Sequence, residues 1–421
     1  MKYVALYSDK KIDTCQLAIA AIAVLSALTG LFVQQILSLG IIACCLVLLF
    51  NNRLYLAFPF IIFYNSVYGL LFGVSMLRLY TLLLLFNVVL RLFTQYSIKA
   101  KYFIPLFVYA AYLILVMIPQ GFSQTLYILS EILSCVIVVL DLTSKTDSLE
   151  EFFKIYVVVC LCSFLTGMVY GNTIGGEYEY TRFNATFEDP NYMGFFFTIA
   201  IFALVTLRLF NKKVRYVLIV VLYAMLITSL SITAIVVNIA VWIFYLVIMK
   251  KLKMKSVAII ALVVVCVMAL FFYGLENPNA PVVGDLSARI YSKILSFLSG
   301  DMGAVTTGRS DLAKNNFEYY MSSSALHVLF GGIPVNSHYI QPSLHGASHN
   351  EYVDMLLNVG LIGAILMFGY FFINLYTYAK KYYESKDEKS LFLISAKVIW
   401  LCYAAALTMF LDYRFMLIFL I

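Results

Sequence analysis

Long apolar runs alternate with short polar breaks along most of this chain, and the runs have the length of membrane-crossing helices. About 17 to 25 apolar residues suffice to cross a hydrocarbon core as helix. Such runs predict helices near 14–31, 35–50, 54–74, 77–94, 102–119, 124–141, 153–170, 192–209, 214–230, 232–249, 256–273, 351–379 and 391–411. The first run has no small-residue cleavage site behind it and is followed at once by another, so it reads as a retained helix rather than a signal peptide. Ser229 to Thr233 predicts a tight turn, and the apolar tail Phe415 to Ile421, too short to cross, is expected at the surface. The pattern as a whole predicts an all-α, polytopic membrane helix bundle of about 12–13 transmembrane helices forming one integral membrane domain, 1–421.

Two interruptions are too polar for a bilayer. The smaller, 171–194, holds Asp189 followed by Pro190, a helix start in which Asp accepts backbone N–H bonds and Pro occupies the first helical position. The larger, 274–350, contains all four histidines, His327, His338, His345 and His349. Within it Leu286, Ile290, Ile294, Phe297 and Leu298 recur at helical spacing beside Arg289 and Lys293, predicting a helix lying in the membrane interface. A second helix is expected from Thr307–Asp311 to about Met321, and Gly331 to Pro334 reads as a turn. Ser348 followed by Glu351 three residues on has the form of a capping box, which would put His349 in the first turn of the next long helix.

Composition agrees: 63% of residues are hydrophobic, 12% are charged and the mean hydropathy is +0.93, which excludes an ordinary soluble domain. The eight cysteines lie in or beside apolar runs, so neither polar segment offers a disulfide or thiolate site. The formal charge of +7 does not point to nucleic acid, because the basic residues mark one side of a membrane. With a cytoplasmic N-terminus, 21 of the 29 fall in cytoplasmic segments and seven (Arg78, Arg182, Arg289, Lys293, Arg309, Lys314, Arg414) in outer ones. Lys397, inside the last helix, is expected to snorkel. Under the positive-inside rule both polar segments face outward.

Few polar residues lie within the apolar runs. Glu131 is a candidate proton relay, but one carboxylate can be satisfied across a helix interface, and the paired charges of a transporter are missing. At the outer face the guanidinium groups of Arg182, Arg289 and Arg309 suit phosphate, onto which they fork, although each could equally meet lipid headgroups. A helix N-terminus keeps an imidazole neutral, so His349 suits a general base; the plainer alternative is a residue that extends the cap. His345 and His349 have metal-ligand spacing, but Gly346 and the cap at Ser348 place them off a shared helix, so no metal site is expected. Glu177, Glu179, Glu188 and Asp189 are a minor alternative as holders of a divalent ion.

The order of Arg182, then Phe187-Glu188-Asp189-Pro190-Asn191-Tyr192-Met193-Gly194, then Gly308-Arg309, then Ser348-His349-Asn350-Glu351-Tyr352 with Leu356, Gly360, Leu361 and Gly363 resembles the O-antigen polymerase and ligase superfamily of bacterial envelope enzymes. The likeness in layout runs over nearly the whole chain, and the order of the motifs is more specific than any one of them. It implies a glycosyltransferase of the inner membrane with no cofactor. Its donor and acceptor would be oligosaccharides on undecaprenyl diphosphate, and a chain-length regulator would be a partner. Carried over by motif, Arg182 and Arg309 would bind pyrophosphate and His349 would be the catalytic base; Arg289, Glu188, Asp189, Asn191 and Asn350 are the expected substrate contacts. One departure stands out: relatives place an arginine just after the turn that here reads Ser229-Leu-Ser-Ile-Thr233, leaving Arg289 or Arg78 as replacement. A polymerase of repeat units is the first expectation, a ligase onto lipid A core the nearest rival. A lipid-linked-oligosaccharide flippase and a peptidoglycan-type polymerase are more distant.

Overall fold

The computed structural model describes residues 14–28, 34–68, 70–71, 74–94, 108, 111–112, 115–116, 122–144, 147–170, 173–174, 182–249, 265, 268–306, 308–332, 348–407, 409 and 412–421. The expected helices near 102–119 and 256–273 lie largely outside these residues, as do His338, His345, Glu177 and Glu179.

The chain is mostly helical. Its elements are α1 (Thr14–Ala27), α2 (Gln34–Phe50), a 3₁₀ turn (Leu54–Ala57), α3 (Phe58–Tyr68), β1 (Leu70–Leu71), β2 (Val74–Ser75), α4 (Met76–Thr94), α5 (Phe122–Ser144), α6 (Ser148–Tyr170), β3 (Thr173–Ile174), β4 (Arg182–Phe183), α7 (Pro190–Thr206), α8 (Lys212–Thr228), α9 (Ile232–Ile248), α10 (Val283–Leu298), α11 (Met302–Thr306), α12 (Arg309–Ser322), α13 (Ala325–Phe330), α14 (Glu351–Ser385), α15 (Glu388–Ala404) and α16 (Tyr413–Leu420). Two-residue antiparallel pairings join β1 to β2 and β3 to β4. Among the described residues two helices, Ser148–Val169 and Glu351–Ser385, are long and apolar enough to cross a membrane, and several of 10–17 residues are apolar.

At the centre lies α7, apolar on every side and buried along nearly its whole length, as befits a helix surrounded by others. It packs on α6, α8, α9 and α15. A polar chain crosses this packing: Asn238 of α9 donates to the Thr198 hydroxyl (2.7 Å) and accepts from Tyr223 of α8 (3.2 Å), so no member is left unpaired in an apolar setting. The outer helices turn large apolar side chains outward, among them Val217 and Val220 on α8 and Ile239 and Ile243 on α9. Glu131 is buried within α5.

Where the structure describes them, the expected spans fall on helices and differ chiefly at their ends. The run 54–74 breaks at Tyr68 into the β1–β2 pairing, and the last long run stops at Ala404. Two expectations about the C-terminal part are corrected. The tail is not at the surface: Phe415 to Ile421 are at most 3% exposed, and α16 packs against α3, α5 and α15. Nor does Lys397 snorkel; it is fully buried, its Nζ donating to the Phe419 carbonyl (2.8 Å) and lying 4.6 Å from the Phe371 ring centroid. The two observations share one cause. A short buried helix ends in carbonyls that no following turn can satisfy, and Lys397, Tyr370 and Tyr378 donate to those of Phe419, Leu420 and Ile421.

Candidate functional site

Helix starts converge at one end of α7. Asp189 caps that helix as its sequence foretold, accepting from the Asn191 amide at 2.6 Å, with Pro190 in the first position. Asn191 is buried, and its Oδ1 accepts from the Ser231 hydroxyl (2.6 Å); Ser231 in turn caps α9 by accepting from the Ala234 amide. One hydrogen bond therefore holds two helix N-termini together, and their dipoles add positive potential at the same place.

The arginines gather around this junction. Arg182, set by the β3–β4 pairing, donates from Nε to the Ser229 carbonyl (3.3 Å) and from Nη2 to Asn191 Oδ1 (3.5 Å). Arg289 of α10 donates to the neighbouring Leu230 carbonyl at 2.6 Å. A guanidinium from a distant helix thus lies against the Ser229–Thr233 turn. Arg309, the first residue of α12, donates to the Ala406 carbonyl (3.0 Å) and has no ion-pair partner among the described residues. Lys293, one turn after Arg289, donates to the Ala304 carbonyl; burial first, then Arg289 and Arg309, hold its ammonium below the ordinary lysine range. Like charges drawn together in this way favour an anionic ligand.

His349 is half-buried beside this group. Its pKa is lowered, chiefly by burial and then by the Arg309 charge, while Asp189 acts in the opposite direction. Both charges are near enough to act on His349, and the neutral imidazole is the favoured form. The capping box does not form as expected. Asn350 is the N-cap of α14, accepting from the amides of Tyr352 and Val353. Ser348 stands two residues outside, where its amide donates to Asp354 (3.1 Å). Glu351 reaches away instead and accepts from the Met409 amide at 2.5 Å. His349 accordingly sits before the cap with a left-handed φ of +52°, not in the first helical turn.

The remaining expected contacts divide. Asn350 serves α14 as a cap. Glu188 is exposed and lies 4.0 Å from Arg414, which forks onto Asp412 and stands 5.1 Å from the Tyr192 ring centroid. Lys293, Ser231 and Arg414 were not singled out by sequence reasoning. Arg289 and Lys293 share one helix face at i, i+4, a signal that could have found the lysine. Ser231 and Arg414 are brought in by tertiary contacts alone.

Beside the cations an open apolar groove of about 290 Å³ is lined by Ile232, Ile290, Ile294, Phe297, Leu298 and Val305, with Lys293 among them. It runs between the start of α9 and the apolar face of α10. The arrangement offers a group of cations, a neutral imidazole on which one of them acts, and an apolar trough that Lys293 joins to the group. Neither a scan of protein-family models nor a search of curated proteins finds a match to this chain.

Proposed function

We propose that the chain is a polytopic membrane glycosyltransferase of about 12–13 crossing helices that joins lipid-linked oligosaccharide repeat units on the outer face of a bacterial inner membrane. The observation that carries this is the convergence of Arg182, Arg289, Lys293 and Arg309 with the imidazole of His349 beside an apolar groove. A polyprenyl diphosphate sugar has the complementary chemistry: a doubly anionic head, an apolar chain and a hydroxyl-bearing acceptor that must lose a proton. The outward-facing apolar side chains and the excess of basic residues on the opposite side support the membrane setting.

In this mechanism His349 takes the proton of an acceptor sugar hydroxyl, and the oxygen attacks the anomeric carbon of the donor. The bond from that carbon to the diphosphate oxygen breaks as the new glycosidic bond forms, inverting the configuration. Undecaprenyl diphosphate departs with the electron pair, its charge met by Arg309, Arg182 and Arg289 and by the N-termini of α7 and α9. Asp189 and Asn191 hold those N-termini in place, with Glu188 at the open edge.

The test is replacement of Arg309 or His349 by Ala in the full chain, with the envelope polysaccharide resolved by length. Loss of the ladder is expected; a normal ladder from a stably expressed variant overturns the proposal. Purified protein given lipid-linked repeats alone separates polymerase from ligase, because a ligase makes no ladder without its core acceptor.

A further inference from the structure

The helix that follows His349 is broken. Within α14, Gly360 has φ 64° and ψ −176°, which divides it into an outer segment, Glu351–Val359, and a longer one, Leu361–Ser385. Only the longer one is needed to cross a hydrocarbon core about 30 Å thick. A break leaves carbonyls without their helical partners, and two carbonyls just before this one are taken up by other parts of the chain. The Asn358 carbonyl accepts from the Gly332 amide (2.9 Å), and the Val359 carbonyl accepts from the Tyr112 hydroxyl (2.6 Å), which also lies 3.3 Å from the Phe330 carbonyl. The end of α13 therefore lies backbone to backbone against the break. A Cβ on Gly331 would come within 2.5 Å of the Asn358 oxygen, and one on Gly360 within 2.5 Å of the Leu329 oxygen. Both glycines also have positive φ, so no other residue type fits this clasp without displacement.

The clasp lies at the far end of the site. Helix α12 runs beside the outer segment of α14, and Tyr320 and Leu357 form a small apolar cluster between them, apart from the main core. The Tyr320 hydroxyl, donating to the Val328 carbonyl (2.6 Å), ties α12 to α13. Arg309 begins α12 about 16 Å from Tyr320 along a straight helix, and His349 stands before the outer segment that α12 accompanies. We infer that the Gly331–Gly360 clasp, closed by Tyr112, is the positioning device of this site: it fixes α12 on the outer segment of α14 and so sets Arg309 against His349. A small rotation at the clasp is carried along α12 to the guanidinium. The inference rests on the proposed roles of Arg309 and His349.

The charged groups acting on His349 are Arg309 on α12 and Asp189 ahead of α7; the nearest acidic residues that follow it in the chain, Glu351 and Asp354, stand in the first turn of α14. If the clasp loosens, Arg309 recedes and His349 protonates more readily. The test uses the full chain in lipid nanodiscs. Diethyl pyrocarbonate modification of His349 is followed against pH by peptide mass spectrometry, with glycosyl transfer measured in parallel. Tyr112→Phe and Gly331→Ala are expected to raise the midpoint of His349 modification toward that of Arg309→Ala, to cause no further rise when combined with Arg309→Ala, and to slow transfer ~10- to 100-fold. A wild-type midpoint in a folded clasp variant overturns the inference; should Gly331→Ala fail to fold, Tyr112→Phe, which removes one hydroxyl, decides it. Wild-type transfer by His349→Ala would instead overturn the proposed function, whatever the midpoints show.

Discussion

Replacing Gly194 by Ala tests whether the core around α7 is as closely packed as the structure has it. A Cβ built on Gly194 lies 2.7 Å from the Cβ of Ala234 on α9 and 3.0 Å from the Tyr403 hydroxyl on α15. Carbon atoms in contact sit about 3.5–4.0 Å apart, so α7 and α9 must part by about 1 Å. Overpacking of this kind costs about 1–3 kcal/mol. Against it stands the gain from replacing glycine within a helix, about 0.5–1 kcal/mol. Gly369 of α14 provides the control, because a Cβ there meets nothing within 4 Å. Gly369→Ala carries the same helical gain without the clash, so the difference between the two variants isolates the packing cost. Equilibrium unfolding in mixed detergent micelles should place Gly369→Ala at or above wild type and Gly194→Ala below Gly369→Ala by about 1–3 kcal/mol. Parting α7 from α9 also pulls Asn191 from Ser231, three residues from the clash, so glycosyl transfer should fall as well. A Gly194→Ala protein as stable as Gly369→Ala would refute the packing argument.

Two further outcomes follow from the N-terminal end of α14. Glu351→Ala should destabilise the fold by about 1–3 kcal/mol, because the buried Met409 amide loses its acceptor, whereas Glu351→Gln retains an oxygen there and should lose less; equal losses would count against that bond. With His349 as the base of the proposed reaction, its lowered pKa puts the acid limb of kcat/KM below the ordinary imidazole value of about 6.5. Asp189→Asn, which can still cap α7, removes a charge that favours the imidazolium and should move the limb further down; an upward shift would contradict the geometry. The unfolded chain binds this proton more readily than the folded one, so the contribution of His349 to stability is present above about 6.5 and lost as pH falls through the folded pKa.

Much of the helical plan was legible because apolar periodicity and run length are local. Most described helices fall where apolar runs predict them, and Asp189-Pro190 starts α7 as its residue types require. The candidate site was legible as a set of residue types in the two polar interruptions, where Arg182, Arg289, Arg309 and His349 all lie. The short Ser348–Glu351 stretch misled because Asn350, Asp354 and Glu351 can all compete for the same end. The choice among them depends on Met409, 58 residues away, offering an amide.

Sequence by itself therefore determined that this chain forms apolar helices with two polar interruptions, the larger holding all four histidines, because those properties follow from each segment alone. Tertiary structure decided which cations meet. Arg289 reaches the Leu230 carbonyl, Arg182 and Ser231 share Asn191, and Arg309 comes to stand by His349. It also turned Phe415–Ile421 inward and buried Lys397 beneath it. The physical reason is common to all of these: a backbone carbonyl or a charge removed from water must find a partner, and the partner is chosen by proximity in space rather than along the chain.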